Sequence, residues 1–109
     1  MLTPGYQQTF QALADQTRTQ VFELLKSRPM AVREIADQLP VSRPAVSQHL
    51  KVLKTAGLVE ERAAGTRRIY SVRRDGLNAL RAWLDQFWDE ALDAYKAEVE
   101  KHEHNNQPD

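Results

Sequence analysis

Between Ser42 and Lys54 the chain reads SRPAVSQHLKVLK, and the side chains there that could do chemistry are Ser42, Arg43, Ser47, Gln48, His49, Lys51 and Lys54. On a helical wheel Ser47, Gln48 and Lys51 lie with Pro44, across from Val46, Leu50 and Leu53. A short hydroxyl and a carboxamide can approach base edges, glutamine can bond adenine at two atoms, and an arginine such as Arg43 can reach guanine or a phosphate. Lys51 and Lys54 suit phosphate better, because a flexible point charge positions rather than reads. His49 falls about 60° from Val46 around such a wheel, on the buried flank. That place suits packing, or a hydrogen bond that orients the helix, with a phosphate contact as the alternative. Taken by itself such a polar side is more often an ordinary solvated face.

Other chemistries find less support. Ser42, Ser47, His49 and Glu60 or Glu61 could be named as a catalytic set, but their spacing provides no nucleophile oriented by a base and no oxyanion hole. No phosphate-binding glycine motif is present. The 109 residues include no cysteine, which excludes disulfides, thiolate metal sites and cysteine nucleophiles. The zero net charge is the sum of two opposed blocks. Residues 1–74 hold 12 Lys/Arg against 6 Asp/Glu, and residues 75–109 hold 3 against 9. A basic body that binds a polyanion has this form, as does an ordinary protein with an acidic last helix. The first basic residue is Arg18 and no long apolar run occurs, so neither a secretory signal nor a membrane span is expected, and the chain is expected in the cytoplasm.

The elements that must position Ser42–Lys54 follow from pattern. Tyr6, Phe10, Leu13 and Ala14 have helical spacing after Pro4-Gly5. Asp15 is placed to cap a second helix carrying Val21, Phe22, Leu24 and Leu25, which Pro29 stops. Met30–Leu39 predicts a short third helix closed by Pro40. Ser42 caps the fourth, Pro44 is tolerated in its first turn, and Gly57 ends it. Leu58–Arg62 and Arg67–Val72, separated by AAGT, predict a hairpin with a basic tip. A last helix is expected from an Asp75 cap through Lys101, followed by a disordered polar tail over residues 102–109.

A short helix, a tight turn and a second helix with small polar and basic residues near its start match the helix-turn-helix, whose second helix enters the major groove of DNA. A hairpin directly after it is a wing. The expected fold is therefore mainly α with a small β-hairpin: a winged helix-turn-helix of four helices, a two-stranded wing and a long C-terminal helix, forming one domain over residues 1–101. The stretches ALADQTRTQVFELL, REIADQLPVSRPAVSQHLKVLKTAGLV and GTRRIYSV resemble the ArsR-type bacterial transcriptional repressors over roughly residues 8 to 100, most specifically in SQHLKVLKTAGLV. Within that architecture the expected DNA contacts are Ser42, Arg43, Pro44, Ser47, Gln48, His49, Lys51 and Lys54, with Arg62, Arg67 and Arg68 of the wing on phosphates or in a narrow minor groove. Double-stranded DNA is the implied partner, and a repressor at a palindromic operator the implied role; a protein-interaction module is the weaker alternative.

On the last helix Leu77, Leu80, Trp83, Leu84, Phe87, Trp88, Ala91, Leu92, Tyr95 and Val99 cover an arc near 180°, wider than one small domain usually covers. A second copy is the natural cover, because a two-fold dimer matches a two-fold DNA site. The resemblance implies the same, with the first and last helices forming the interface. Its expected residues are Phe10, Leu80, Trp83, Leu84, Phe87, Trp88, Ala91 and Tyr95, and a core within one chain is the competing explanation for the aromatic ones. Arsenic- and lead-type members carry a cysteine pair bracketing a position that matches Val32; here Ala31 and Arg33 stand there. Zinc- and nickel-type members place Asp and His on the last helix, where this chain has Asp85, Asp89, Glu90 and Asp93 but no histidine before His102. The expectation is a regulator with no metal and no cofactor, with an inducer left open. A zinc-responsive repressor using the acidic residues with His102 and His104 is the alternative.

Overall fold

The computed structural model describes residues 5–105. Their elements run α1 (Tyr6–Leu13), α2 (Gln16–Leu25), β1 (Met30–Ala31), α3 (Val32–Gln38), α4 (Arg43–Thr55), β2 (Val59–Ala64), β3 (Arg67–Val72) and α5 (Asn78–Asn105). The fold is mainly helical with a small sheet, in winged helix-turn-helix order.

The corner between α1 and α2 is held by hydrogen bonds that satisfy helix ends. Asp15 Oδ1 accepts the Arg18 backbone N–H at 2.9 Å, as expected of a cap. Arg18 Nε donates to the Ala12 carbonyl, and Thr19 Oγ1 to that of Leu13 at 2.9 Å, so α2 returns donors to the open carbonyls at the end of α1. At α4, Ser42 Oγ accepts the Ala45 N–H at 3.3 Å, and Pro44 stands in the first turn. Gly57, at φ +78°, lets the chain leave the helix while its N–H donates to the Lys54 carbonyl.

Val46, Leu50 and Leu53 of α4 are fully buried, together with Val21, Ile35 and Leu58. Full burial of such a side chain is worth about 1.5–3 kcal/mol over exposure. The register of α4 is therefore set by its inner side, against α2, α3 and the sheet. Among the described residues no helix is long and apolar enough to cross a membrane.

Several boundaries differ from the sequence pattern. Met30 and Ala31, expected as the start of the third helix, form a strand: they pair antiparallel with Tyr70 and Ile69. The sheet thus has three strands in the order β1-β3-β2, where a two-stranded wing was expected. Both residues are buried, and a two-residue strand is too short to show alternation. Next, β2 continues to Ala64, which pairs with Arg67 across the Gly65-Thr66 turn. Finally, Asp75 does not cap α5. Its carboxylate is taken by Arg73, Nε to Oδ1 at 2.8 Å. The chain then turns at Gly76, where a Cβ would lie 2.6 Å from the Gly57 carbonyl oxygen. The close approach of Gly76 to the end of α4 delays α5 to Asn78. It also runs beyond Lys101 to Asn105, so residues 102–105 are helical, and His102 Nε2 lies 3.1 Å from Glu98 Oε1. The rest of the expected tail, residues 106–109, and the side chain of His104 fall outside the described residues.

Candidate nucleic-acid interface

The outer side of α4 is a ridge between two hollows. Toward the wing, a hollow of about 390 Å³ brings Ser47 together with Arg33, Arg67, Arg68 and Tyr70. Toward α1, a second of about 350 Å³ is lined by Gln48 and Lys51 with Gln11 and Arg18. Ser42, Arg43, Pro44, Ser47, Gln48, Lys51 and Lys54 are all exposed, and the fully buried Val46, Leu50 and Leu53 hold the helix from behind. The polar side expected from the wheel is therefore presented to solvent, but divided: Ser47 faces the wing hollow, Gln48 and Lys51 the other.

His49 is not on that ridge. It is half-buried on the inner flank, its Nδ1 is buried with no hydrogen-bond partner among the described residues, and it lies close enough to Asp15 to interact with its charge. The Asp15 carboxyl is held below the ordinary aspartate value, first by the Arg18 backbone N–H and then, against some desolvation, by the charges of His49 and Arg18. This puts His49 on the inner flank of α4, off the exposed ridge and near Asp15.

The wing cations are less free than the sequence implied. Arg67 Nη2 lies 2.8 Å from Glu34 Oε1, Lys54 Nζ 2.5 Å from Glu61 Oε1, and Arg68 Nη1 3.4 Å from that same Glu61 oxygen. Arg33, Arg43, Lys51 and Arg62 have no ion pair among the described residues. Glu34 also accepts the Ala31 N–H at 3.2 Å and bonds Arg28 at 2.7 Å. Its carboxyl is lowered from the ordinary glutamate value chiefly by the Arg28 hydrogen bond, then by that of Ala31. Glu61 is lowered chiefly by the Lys54 hydrogen bond, then by Tyr70, which is its antiparallel neighbour on β3. Tyr70 in turn is raised, first by burial and then by Glu61.

Sequence reasoning missed Arg33, Gln11 and Arg18 as neighbours of the ridge, and Glu34 and Glu61 as partners of its cations. Glu34 had a visible signal, since it stands at the third helical position after Ala31, where a glutamate reaches back to the cap N–H. Arg33 had none, because only the fold of β3 back across β1 brings it beside Arg67 and Arg68.

Comparison with known proteins agrees with this geometry. Residues 15–61 match the family described as bacterial regulatory protein, arsR family. Over 86 residues, 79% of this chain and 80% of the relative, the sequence is 62% identical to the HTH-type transcriptional regulator Rv2034 of Mycobacterium tuberculosis. The chain belongs to the arsR family. Among solved structures of that kind, an ArsR-like transcriptional regulator from Rhodococcus sp. RHA1 superposes with a TM-score of 0.74 at 33% identity, covering 84% of this chain and 90% of that one. The homodimeric winged helix-turn-helix DNA-binding domain of Mb0332 from Mycobacterium bovis gives 0.62 at 34% identity, covering 76% of this chain and 77% of that one.

Within the arsR family this chain is not built for a thiolate metal. Ala31 offers no donor side chain and its N–H is taken by Glu34, while Arg33 brings a guanidinium, a cation that repels a metal ion. On α5, Asp85, Asp89, Glu90 and Asp93 are exposed, and among the described residues no group of three or more His, Cys, Asp or Glu side chains gathers.

Proposed function

We propose that this arsR-family chain is a cytoplasmic repressor that binds a palindromic operator as a homodimer and needs no metal to do so. The observation that carries the reading is the ridge of α4 between two cation-bearing hollows. A helix entering the major groove, about 12 Å wide, has a phosphate backbone on each side. Here Ser47 and Gln48 would meet base edges. Arg33, Arg67 and Arg68 would flank one backbone, with Lys51 and Arg18 on the other side. Arg43 at the start of α4 would reach guanine or phosphate, and Lys54 and Arg62 would add phosphate contacts.

The second copy would cover the aromatic side of α1 and α5. Within one chain Trp83 already packs on Tyr6, Phe10 and Phe87, with ring centroids 5.3, 5.3 and 5.5 Å apart. Leu80 and Ala91 are half-buried, but Phe10, Leu84, Phe87, Trp88 and Tyr95 remain exposed. A contiguous aromatic surface of this kind marks an interaction site, and a two-fold dimer through it would set two α4 ridges about one helical turn of DNA apart. Titration of the protein on duplex DNA taken from upstream of its own gene, against a random duplex, tests the reading. Operator binding should be tighter, should survive chelator, and should fall steeply with salt. Equal affinity for both duplexes would remove sequence specificity from the proposal.

A further inference from the structure

The cations around α4 form two groups. Arg33, Arg43 and Lys51 stand without an ion-pair partner among the described residues, whereas Lys54, Arg67 and Arg68 are each held by a carboxylate of the same chain. The carboxylates are the better shielded members: the Glu61 and Glu34 side chains are 17% and 31% exposed, and their basic partners all more than half exposed. A carboxylate on a guanidinium or ammonium makes the same charge-assisted hydrogen bonds that a phosphate would make. We propose that Glu34 and Glu61 are internal substitutes for DNA phosphate, residues that set the sequence-independent part of the affinity by occupying cations the duplex must win.

The inference rests on the DNA-binding reading above. If the wing and the end of α4 meet phosphates, each contact made by Lys54, Arg67 or Arg68 replaces an existing ion pair instead of using a free charge. The displaced glutamate is then left facing a polyanion. Glu61 holds two of these three cations, Lys54 and Arg68, so it should matter more than Glu34, which holds only Arg67 of them and divides its bonds with Arg28 and the Ala31 N–H. Base contacts are untouched by the exchange, so the effect should be the same on every sequence.

The test compares Glu61→Gln, Glu34→Gln and Glu60→Gln with the wild-type chain on a random duplex and on the chain's own promoter DNA. An amide keeps the shape and can still accept from Ala31. Exposed ion pairs are individually weak, so loss of a competing pair, present twice in a dimer, should raise affinity about three- to tenfold for Glu61→Gln. The rise should be equal on both duplexes, and smaller for Glu34→Gln. Glu60 is the control: it is next to Glu61 on β2, exposed, and has no ion pair among the described residues, so its substitution measures the general effect of removing one negative charge. An unchanged or weakened affinity in Glu61→Gln overturns the proposal, as does an equal rise in Glu60→Gln. Should Glu61→Gln fail to fold, Glu34→Gln decides by the same criterion. A wild-type chain that binds neither duplex removes the function and this inference together; a wild-type chain that binds, with glutamine variants indistinguishable from it, removes only this inference.

Discussion

Helices α4 and α5 both carry an apolar side and a polar side, yet only one of them is closed by its own chain. In the 13 residues of α4, Val46, Leu50 and Leu53 are completely buried. In the 28 residues of α5 no described side chain is buried to that degree, and Phe87, Trp88 and Tyr95 are 47%, 53% and 69% exposed. The difference lies in what surrounds each stripe. A narrow stripe on α4 meets α2, α3 and the sheet, whereas α5 packs chiefly on α1 and for only part of its length. Helical periodicity therefore identifies a side that wants cover without naming what covers it.

The largest effects should separate the two helices by what fails. Leu50→Ala on α4 removes a fully buried side chain from a packed core and should cost about 2–5 kcal/mol, read as a lower urea midpoint that protein concentration does not explain. Phe87→Asp on α5 should leave the helical content and the core intact and instead weaken self-association. An interface anchor of this type contributes on the order of 2 kcal/mol, or about 30-fold in dimer affinity. Sedimentation at micromolar concentration should show a folded monomer. If Phe87→Asp lost its structure as Leu50→Ala does, α5 would belong to the core and the contrast would be wrong.

On the polar sides the contrast sharpens. Gln48→Ala should leave the urea midpoint unchanged, since the side chain is exposed and makes no hydrogen bond among the described residues. It should cost ~1–3 kcal/mol per half-site on the operator and little on a random duplex. Lys51→Ala should weaken both duplexes alike and lower the salt dependence. Were both variants to lose affinity equally on both duplexes, the ridge would position the protein without reading sequence.

How far the sequence could be read divides along the same line. Where neighbouring residues determine the outcome, the pattern sufficed: the Asp15 and Ser42 caps, Pro44 in the first turn and Gly57 at the end of α4 all stand where expected. The exposed polar side of α4 followed from its period. What escaped depends on contacts between distant segments. The strand at Met30–Ala31 exists because Tyr70 and Ile69 come back to pair with it. Asp75 would make a good cap in isolation, but Arg73 and the approach of Gly76 to Gly57 prevent it. Arg67 and Arg68 of the wing are legible as basic but not as paired, since Glu34 is 33 residues from Arg67 along the chain. Alternation along β2 could have suggested that Glu60 and Glu61 differ. It could not have said that Glu61 meets Lys54 of α4.

The smallest effect is the acid sensitivity of that last contact, which ties α4 to the wing, whereas the described contact of Glu98 with His102 on α5 lies within one helix. Glu61 is held below its ordinary value of 4.5 in the folded chain, chiefly by Lys54 and then by Tyr70. As the pH falls the unfolded chain therefore takes up this proton first. The stabilisation is fully present above pH 4.5 and is lost as the pH drops below it, through the lowered folded value. Urea midpoints of the wild-type chain and of Glu61→Gln should accordingly differ most at pH 7 and converge as the pH falls through the lowered folded value, below which the wild-type carboxyl is also neutral. Because the pair is solvent-facing, the difference at pH 7 should be small and should shrink further with added salt. A difference that stayed constant across this range would mean that the Lys54 contact does not hold α4 to the wing.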